Sequence, residues 1–577
     1  MFCLFARNRF LPGILCAAGL WLGAIGGAVA EETPKVLAAV KFPPLKTLSD
    51  ELMGLARKLA PGQQTEFYPM MVLGPFGYPS YPGVSQSDNI TIFFFEPQKG
   101  ELTTPYVILT KMEPDALVKK TLTMKAEGNN SMFAFLTPGL EVAERGGWTL
   151  FSDEAAYFDY ASDIDALVDM ADDIEGFDIT MRVYMGPETV ASWSEIMKEE
   201  IADAHVLAGG AESDPGLLHK QLLVDFLATV GSNLEWFESG LDLDAEAVSL
   251  GFSVQAIKGT PEYDALSMPV GGPVPVGEYI NASAVSFLSK WDMAAVVDYY
   301  GVLEQRAMQI ATEEGREMIK KASEYNRKLL AQMSGGHAGS MSFEQEKPLS
   351  SSALGGAFDA AMLDASLHFY YDELFPYLLE TFAPQGQQGV VEMVYRSQVA
   401  ETSGAPVSEI ETKTPDLPIG LTQGEASEAT EDSAEKMFVT VIKGNVLGSS
   451  DLQDLESLAA RVSDETPLED SVAQRLALEN GQAARLQIDV CEVVNMLSED
   501  YEPESEVARQ AIKKLGKSDL EPLTGVMTIA EGQGVYLFSA PVSTLVEFSD
   551  THRQIRQAEK DMDAHGGKQM VFPAGEE

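Results

Sequence analysis

Cysteine is nearly missing from this chain. It has three among 577 residues, and two of them, Cys3 and Cys16, fall within the first thirty. Cys491 then stands alone, so no disulfide can close within the remainder. In the apolar stretch LQIDVCEVVNML it is expected to be a buried, inert thiol. Histidine is also scarce, six residues scattered along the chain, which leaves few ligands for a transition metal. Positive charge is the third shortage. Lys and Arg number 40 against 88 Asp and Glu, a net charge of −48, and without Arg7 and Arg9 the balance is 38 against 88, or −50. Such a surface repels nucleic acid and anionic lipid, which excludes both as direct partners. The acids are spread out and not set at ligand spacing, which points to solubility in a saline medium more than to collection of divalent cations.

The spacings of common catalysts are absent as well. There is no G-x-S-x-G elbow, H-E-x-x-H pair, Walker loop, complete G-x-G-x-x-G or C-x-x-C. An S-x-x-K match at Ser433 and Lys436 lies in an acidic stretch, and Asp561-Met562-Asp563 opens like a calcium loop but meets Phe572 where a Glu is required.

What is present begins with an export signal. Arg7 and Arg9 precede an apolar run from Phe10 to Ala30 that closes in Ala28-Val29-Ala30, the pattern of signal peptidase cleavage. Leu15 before Cys16 is too bulky for lipid-directed cleavage. The length exceeds one hydrophobic core. We expect a signal peptide at 1–30, an α+β lobe at 31–270, a second at 271–556 and a polar tail at 557–577. Each lobe is expected to be a largely antiparallel sheet covered by helices.

One short pattern recurs. GWTLFSDEAAYF at 147–158, GNVLGSSDLQDL at 444–455 and GVYLFSAPVSTL at 534–545 share Gly, Leu at +3, Ser at +5 and a large apolar residue at +11. This reads as a strand entered through a turn glycine, with Ser152, Ser449 and Ser539 capping the helices that follow. An apolar strand precedes each copy, at Met132, Met437 and Val526. The order strand, helices, hairpin, helix over 177–266 returns over 484–548, which predicts an internal duplication. Leu150, Leu447 and Leu537 should then all face a core.

Within lobe two, an apolar stripe from Met293 through Leu329 predicts one long helix over 291–333, with Gly301 and Gly315 as possible bends. Unbroken, it would extend about 63 Å. Its natural partner is a second helix over 357–382, the two making a helical arm at 292–382 across the loop SGGHAGS. Residues 400–436, rich in Glu, Thr, Ser, Pro and Gly, predict a mobile acidic excursion. The aromatic, proline-rich stretch from Phe67 to Val84 predicts a loop pinned to its own domain.

The hairpin stretch SGLDLDAEAVSLGFSVQAIKGTPEYDAL at 239–266, with the G-x-x-L-x-S strands, resembles a broad group of exported bacterial proteins of unknown function. The resemblance covers about 100–270 and 437–548. It implies export and an α+β fold, and carries no activity or catalytic residue.

The one constellation with metal-ligand character is Asp364, His368 and Asp372, whose i, i+4, i+8 spacing places them on one side of a helix, with His337 as a ligand from another element. A polar stripe on a packed helix is the simpler account. Asp242, Asp244 and Glu246 would share the solvated face of a strand, with Leu241 and Leu243 inward. No cofactor is predicted. Three functions remain open: an acidic, non-enzymatic exported protein that binds a ligand or protein partner in a cleft between the lobes; a hydrolase with a site drawn from distant residues; and an envelope assembly component docking through the helix at 292–333.

Overall fold

The computed structural model describes residues 35–59, 87–96, 104–112, 141–152, 154–207, 215–342, 349–382, 392–413, 435–500 and 506–564. The expectations for 1–30, for Phe67 to Val84 and for the strand at Met132 lie outside the described residues.

The first half runs β1 (Val36–Phe42), α1 (Leu45–Leu59), β2 (Ile90–Phe95), β3 (Tyr106–Thr110), β4 (Glu141–Arg145), β5 (Trp148–Ser152), a 3-10 turn (Ala155–Asp159), α2 (Ile164–Asp172), β6 (Ile179–Tyr184), α3 (Pro187–Leu207), α4 (Pro215–Gly231), β7 (Leu234–Leu243), β8 (Ala247–Ala256) and α5 (Pro261–Ala265). The second half opens with a 3-10 turn (Pro275–Tyr279), then β9 (Val285–Lys290), α6 (Met293–Ile310), α7 (Glu313–Leu330), β10 (Met333–Ser342), β11 (Leu349–Gly356), α8 (Ala360–Phe369) and α9 (Phe375–Phe382). It continues through β12 (Glu392–Thr402), β13 (Ala405–Lys413), β14 (Glu435–Ile442), β15 (Asn445–Ser449), α10 (Leu452–Asp464), α11 (Val472–Arg475), β16 (Gln482–Ile488), α12 (Val490–Asp500), α13 (Glu506–Leu515), β17 (Leu523–Ala530), β18 (Gln533–Pro541) and α14 (Val542–Ala564).

The strands join into one antiparallel sheet of 18, and the fold is α+β. Traced through its ladders, the first half has the order β4-β5-β3-β2-β1-β6-β7-β8. The second half has β14-β15-β11-β10-β9-β16-β17-β18, with the β12–β13 hairpin added beyond β14. Position for position these are the same topology. The halves meet edge to edge where β8 pairs with β18.

A single cross-strand row shows how close the correspondence is. From Leu150 it passes through Leu109, Thr91, Lys41, Thr180, Gly240 and Gly251. It crosses the junction to Leu537 and continues through Val526, Arg485, Leu288, Ala338 and Ala353 to Leu447. The three pattern leucines therefore lie on one row, two at matching places near its ends and one at its middle. Leu150 and Leu447 are fully buried, and Leu537 is half-buried beside Gly251. A Cβ at Gly240 or Gly251 would collide with the Phe177 ring, which explains glycine at both positions.

Two hairpins explain the recurring glycine. Gly146 and Gly147, and likewise Lys443 and Gly444, have positive φ, the conformation of a tight two-residue turn matched to strand twist. The serines do not cap helices. The Ser152 Oγ donates to the Tyr106 carbonyl at 2.7 Å, that of Ser449 donates to Asp454 at 2.9 Å, and Ser539 bonds Ser249 across the junction at 2.8 Å. Each is still within its strand, and in the second copy Asp451 is the cap, accepting from Asp454 N at 2.9 Å.

One face of the sheet packs on α1, burying Leu45 and Leu48 against Val40, Phe42, Ile90, Ile92 and Phe151. The opposite face packs on α2 in the first half, and on α10 in the second, where Leu455, Leu458 and Val462 meet Leu288, Ala338, Ala353 and Leu447. The final helix of each half crosses over: α14 packs on α1, and α5 packs on α6. Buried Glu262 of α5 accepts from Arg306 and Tyr299 of α6, and Ser549 Oγ of α14 donates to the Leu59 carbonyl of α1 at 2.6 Å.

Several expectations in the second half are corrected. The helix predicted over 291–333 is two helices packed on each other. The break falls at Ala311–Thr312, where Thr312 turns extended and its Oγ caps Gly315 N at 3.2 Å, with Glu313 and Glu314 in the new first turn. SGGHAGS is not a loop but the body of β10, its glycines permitting close contact with Val274 and Trp291. Residues 400–413 are not a mobile excursion but part of a hairpin, because the acids alternate and Arg396 bonds Glu409 and Glu411 across it. Residues 414–434 lie outside the described residues.

Candidate functional site

The constellation Asp364, His368 and Asp372 does sit on one helical stretch, but its members do not converge on one point. The His368 Nδ1 and Asp372 Oδ2 are 2.8 Å apart, while Asp364 Oδ1 accepts the Tyr395 hydroxyl at 2.5 Å. Tyr395 on β12 is the organising residue, and the sequence spacing did not reveal it. Its ring meets His368 edge-on at 4.7 Å and stacks on Tyr371 at 6.2 Å, and its hydroxyl also reaches Ser408 at 2.9 Å. Burial, then the bond to Asp364, push its phenol above the usual range. His337 is five strands away along the sheet, edge-on to Phe287, and burial lowers its pKa. Among the described residues no group of three or more His, Cys, Asp or Glu is placed to hold a metal ion. Cys491 is half-buried, its Sγ donating to the Ser518 carbonyl at 2.8 Å, and burial raises its pKa.

The acids at 242–246 are used locally. Asp242 accepts from Asp178 N at 3.0 Å, Asp178 accepts from Leu243 N at 2.7 Å, and Asp244 closes the β7–β8 turn by accepting from Ala247 N at 3.1 Å. Beside them Glu51 is pushed up to about 7 by burial and then by Asp178, Asp242 and Asp50.

Two adjoining hollows, about 490 and 390 Å³, lie in the first half around the start of α2 and share Ser162 and Asp163. In the first, Arg145 already donates to the Phe158 and Ala161 carbonyls. The second is lined mainly by apolar groups, among them Val36, Leu167 and Met170. Neither hollow lies between the halves.

The junction itself is more informative. On the α1 face, Leu250 pairs with Phe538 and Phe252 with Tyr536 across the β8–β18 ladder. Leu250 and Phe252 are 37% and 39% exposed, although they stand in the middle of an 18-stranded sheet. Phe237 leans on Phe252 at 6.4 Å, and Met527 and Leu486 continue the apolar surface into the second half. Toward one end of β8, Val248 packs against the core under α1; toward the other, Leu266, the C-cap of α5, lies over Gly534 beside Val254. The result is a slot with a sheet floor, walled on one side by α1 and on the other by α5.

Among the described residues no helix is long and apolar enough to cross a membrane. Compared with models of protein families, with curated proteins and with solved structures, the chain matches none.

Proposed function

We propose that this is an exported, acidic, non-enzymatic binding protein, built by duplication of one α+β unit and using the junction of its halves to hold a ligand or partner. The supporting observation is the exposure of Leu250 and Phe252 in the middle of the sheet, between α1 and α5. Apolar side chains left open in the middle of a sheet, between helical walls, mark an interaction surface more often than an accident of packing. The matching strand order of the two halves supports the duplication, and the signal-like N-terminus supports export. Native mass spectrometry of the protein purified from its exported fraction tests the function. Wild type should carry an additional mass that Phe252→Glu lacks at unchanged melting temperature. An identical spectrum for both, with no bound mass, would remove the junction as the site.

A further inference from the structure

We infer that the slot takes the acyl chain of a neutral or zwitterionic lipid; this rests on the junction being the binding site. The first ground is charge. On the α1 face, the ladder-paired residues of eight adjacent strands, β6, β7, β8, β18, β17, β16, β9 and β10, include no Asp, Glu, Lys or Arg. In a chain with 22% charged residues and a net charge of −48, an uncharged floor of that width selects an uncharged occupant. The second ground is hydrogen bonding. Around the slot the floor offers Leu241, Leu250, Phe252, Phe538, Met527 and Leu486, with the hydroxyls of Ser239 and Tyr536 the polar side-chain groups among them, and the backbone of these interior strands is already committed to ladders. An extended peptide lying there would bury more amide groups than two hydroxyls can satisfy, at a cost of roughly 1–3 kcal/mol for each one left over, whereas an acyl chain has none to satisfy.

The third ground is width. From Val248 to Val254 is six strand residues, about 20 Å at ~3.4 Å each. The side chains of α1 and Leu266 narrow this span from both ends, which suits a hydrocarbon chain better than a helix of about 10–12 Å. The head group would emerge between walls on a strongly acidic molecule, which disfavours an anionic head such as a carboxylate or phosphatidylglycerol.

Calorimetric titration of the full exported chain with palmitoyl lysophosphatidylcholine, below its micelle concentration, tests the inference. Saturable one-to-one binding is expected, at least tenfold tighter than palmitate at pH 8 and tighter than an eighteen-residue leucine–lysine amphipathic peptide. Leu250→Glu and Phe252→Glu should each weaken it at least tenfold without lowering the melting temperature, since both sites already reach water. Val399→Glu, at another exposed apolar position, on β12, should leave it unchanged. Binding of the peptide, or of palmitate, in preference to the lysolipid would overturn the acyl-lipid class and leave the junction standing. Binding that ignores Leu250→Glu and Phe252→Glu would overturn the junction as well.

Discussion

The two halves share a strand order yet fill one face differently. Beside the junction, one row in the first half reads Phe252, Ser239, Met181, Val40, Ile92, Ile108, Phe151. Its counterpart in the second half reads Phe538, Gly525, Leu486, Phe287, Gly339, Ser352, Gly448. Bulky aliphatic residues in the first half meet α1, whose Leu45 and Leu48 are fully buried; small residues in the second lie on the side of α6, which fully buries none of its residues. The opposite face is a dense core in both. A backbone topology thus tolerates either filling of one face as long as the other supplies the burial energy.

The comparison can be broken most forcefully at a buried charge. In the first half Arg182 and Glu238, 4% and 2% exposed, pair at 2.7 Å, with Asp173 also on Arg182 at 2.7 Å and Trp236 4.4 Å beneath its guanidinium. Along the shared rows their counterparts are Gln487 and Thr524, a neutral pair. Arg182→Met should cost about 3–5 kcal/mol, because it leaves Glu238 buried and uncompensated. Gln487→Met should cost under about 1 kcal/mol. Chemical denaturation decides, and equal losses would mean that the halves carry charge alike.

Next come the matched leucines. Leu150→Ala and Leu447→Ala should each destabilise by roughly 2–5 kcal/mol through the cavity left behind. Values far apart in the same denaturation experiment would show that the two cores, though topologically equal, are not equally packed.

A smaller effect concerns pH. Glu51 titrates at about 7 in the folded protein against an ordinary 4.5, so the native state holds a proton that the unfolded chain releases. Its contribution to stability is full below 4.5 and lost as pH rises toward 7. Glu51→Gln should therefore raise the melting temperature at pH 8 and leave it nearly unchanged at pH 4. A variant less stable than wild type at pH 8 would contradict this. The smallest effect is expected of Asp372→Asn. The His368–Asp372 pair is about half exposed, and i, i+4 pairs of this kind contribute a few tenths of a kcal/mol, so thermal melts should barely move.

Local patterns in the sequence disclosed the hairpins and the helix that follows Ser449, because turn glycines and apolar periodicity act over a few residues. The pattern leucines were legible for the same reason. SGGHAGS was not, since a glycine-rich run becomes a strand only when β9 and β11 lie on either side of it. The acidic hairpin was hidden because its charges are matched by Arg396 and by Lys436 of the next strand, which no window along the chain brings together. The slot was the least visible. VSLGFSVQAI reads as an ordinary strand, and only the arrival of β18 beside it shows which of its faces is left open. Tyr395 likewise escaped notice because its partners lie on a helix some thirty residues earlier.

The junction of β8 with β18 has one further consequence. Through the row that links Leu150 to Leu447, Gly251 and Leu537 are counterparts, and they are also direct partners. A strand that pairs with its own counterpart forms an isologous contact, the kind that joins two copies of one molecule about a twofold axis. A chain carrying only one half would present this strand as a bare edge and could close it only against a second copy of itself. In this chain the contact is made within one molecule, so its two sides need not be identical, and at its centre a glycine faces a leucine.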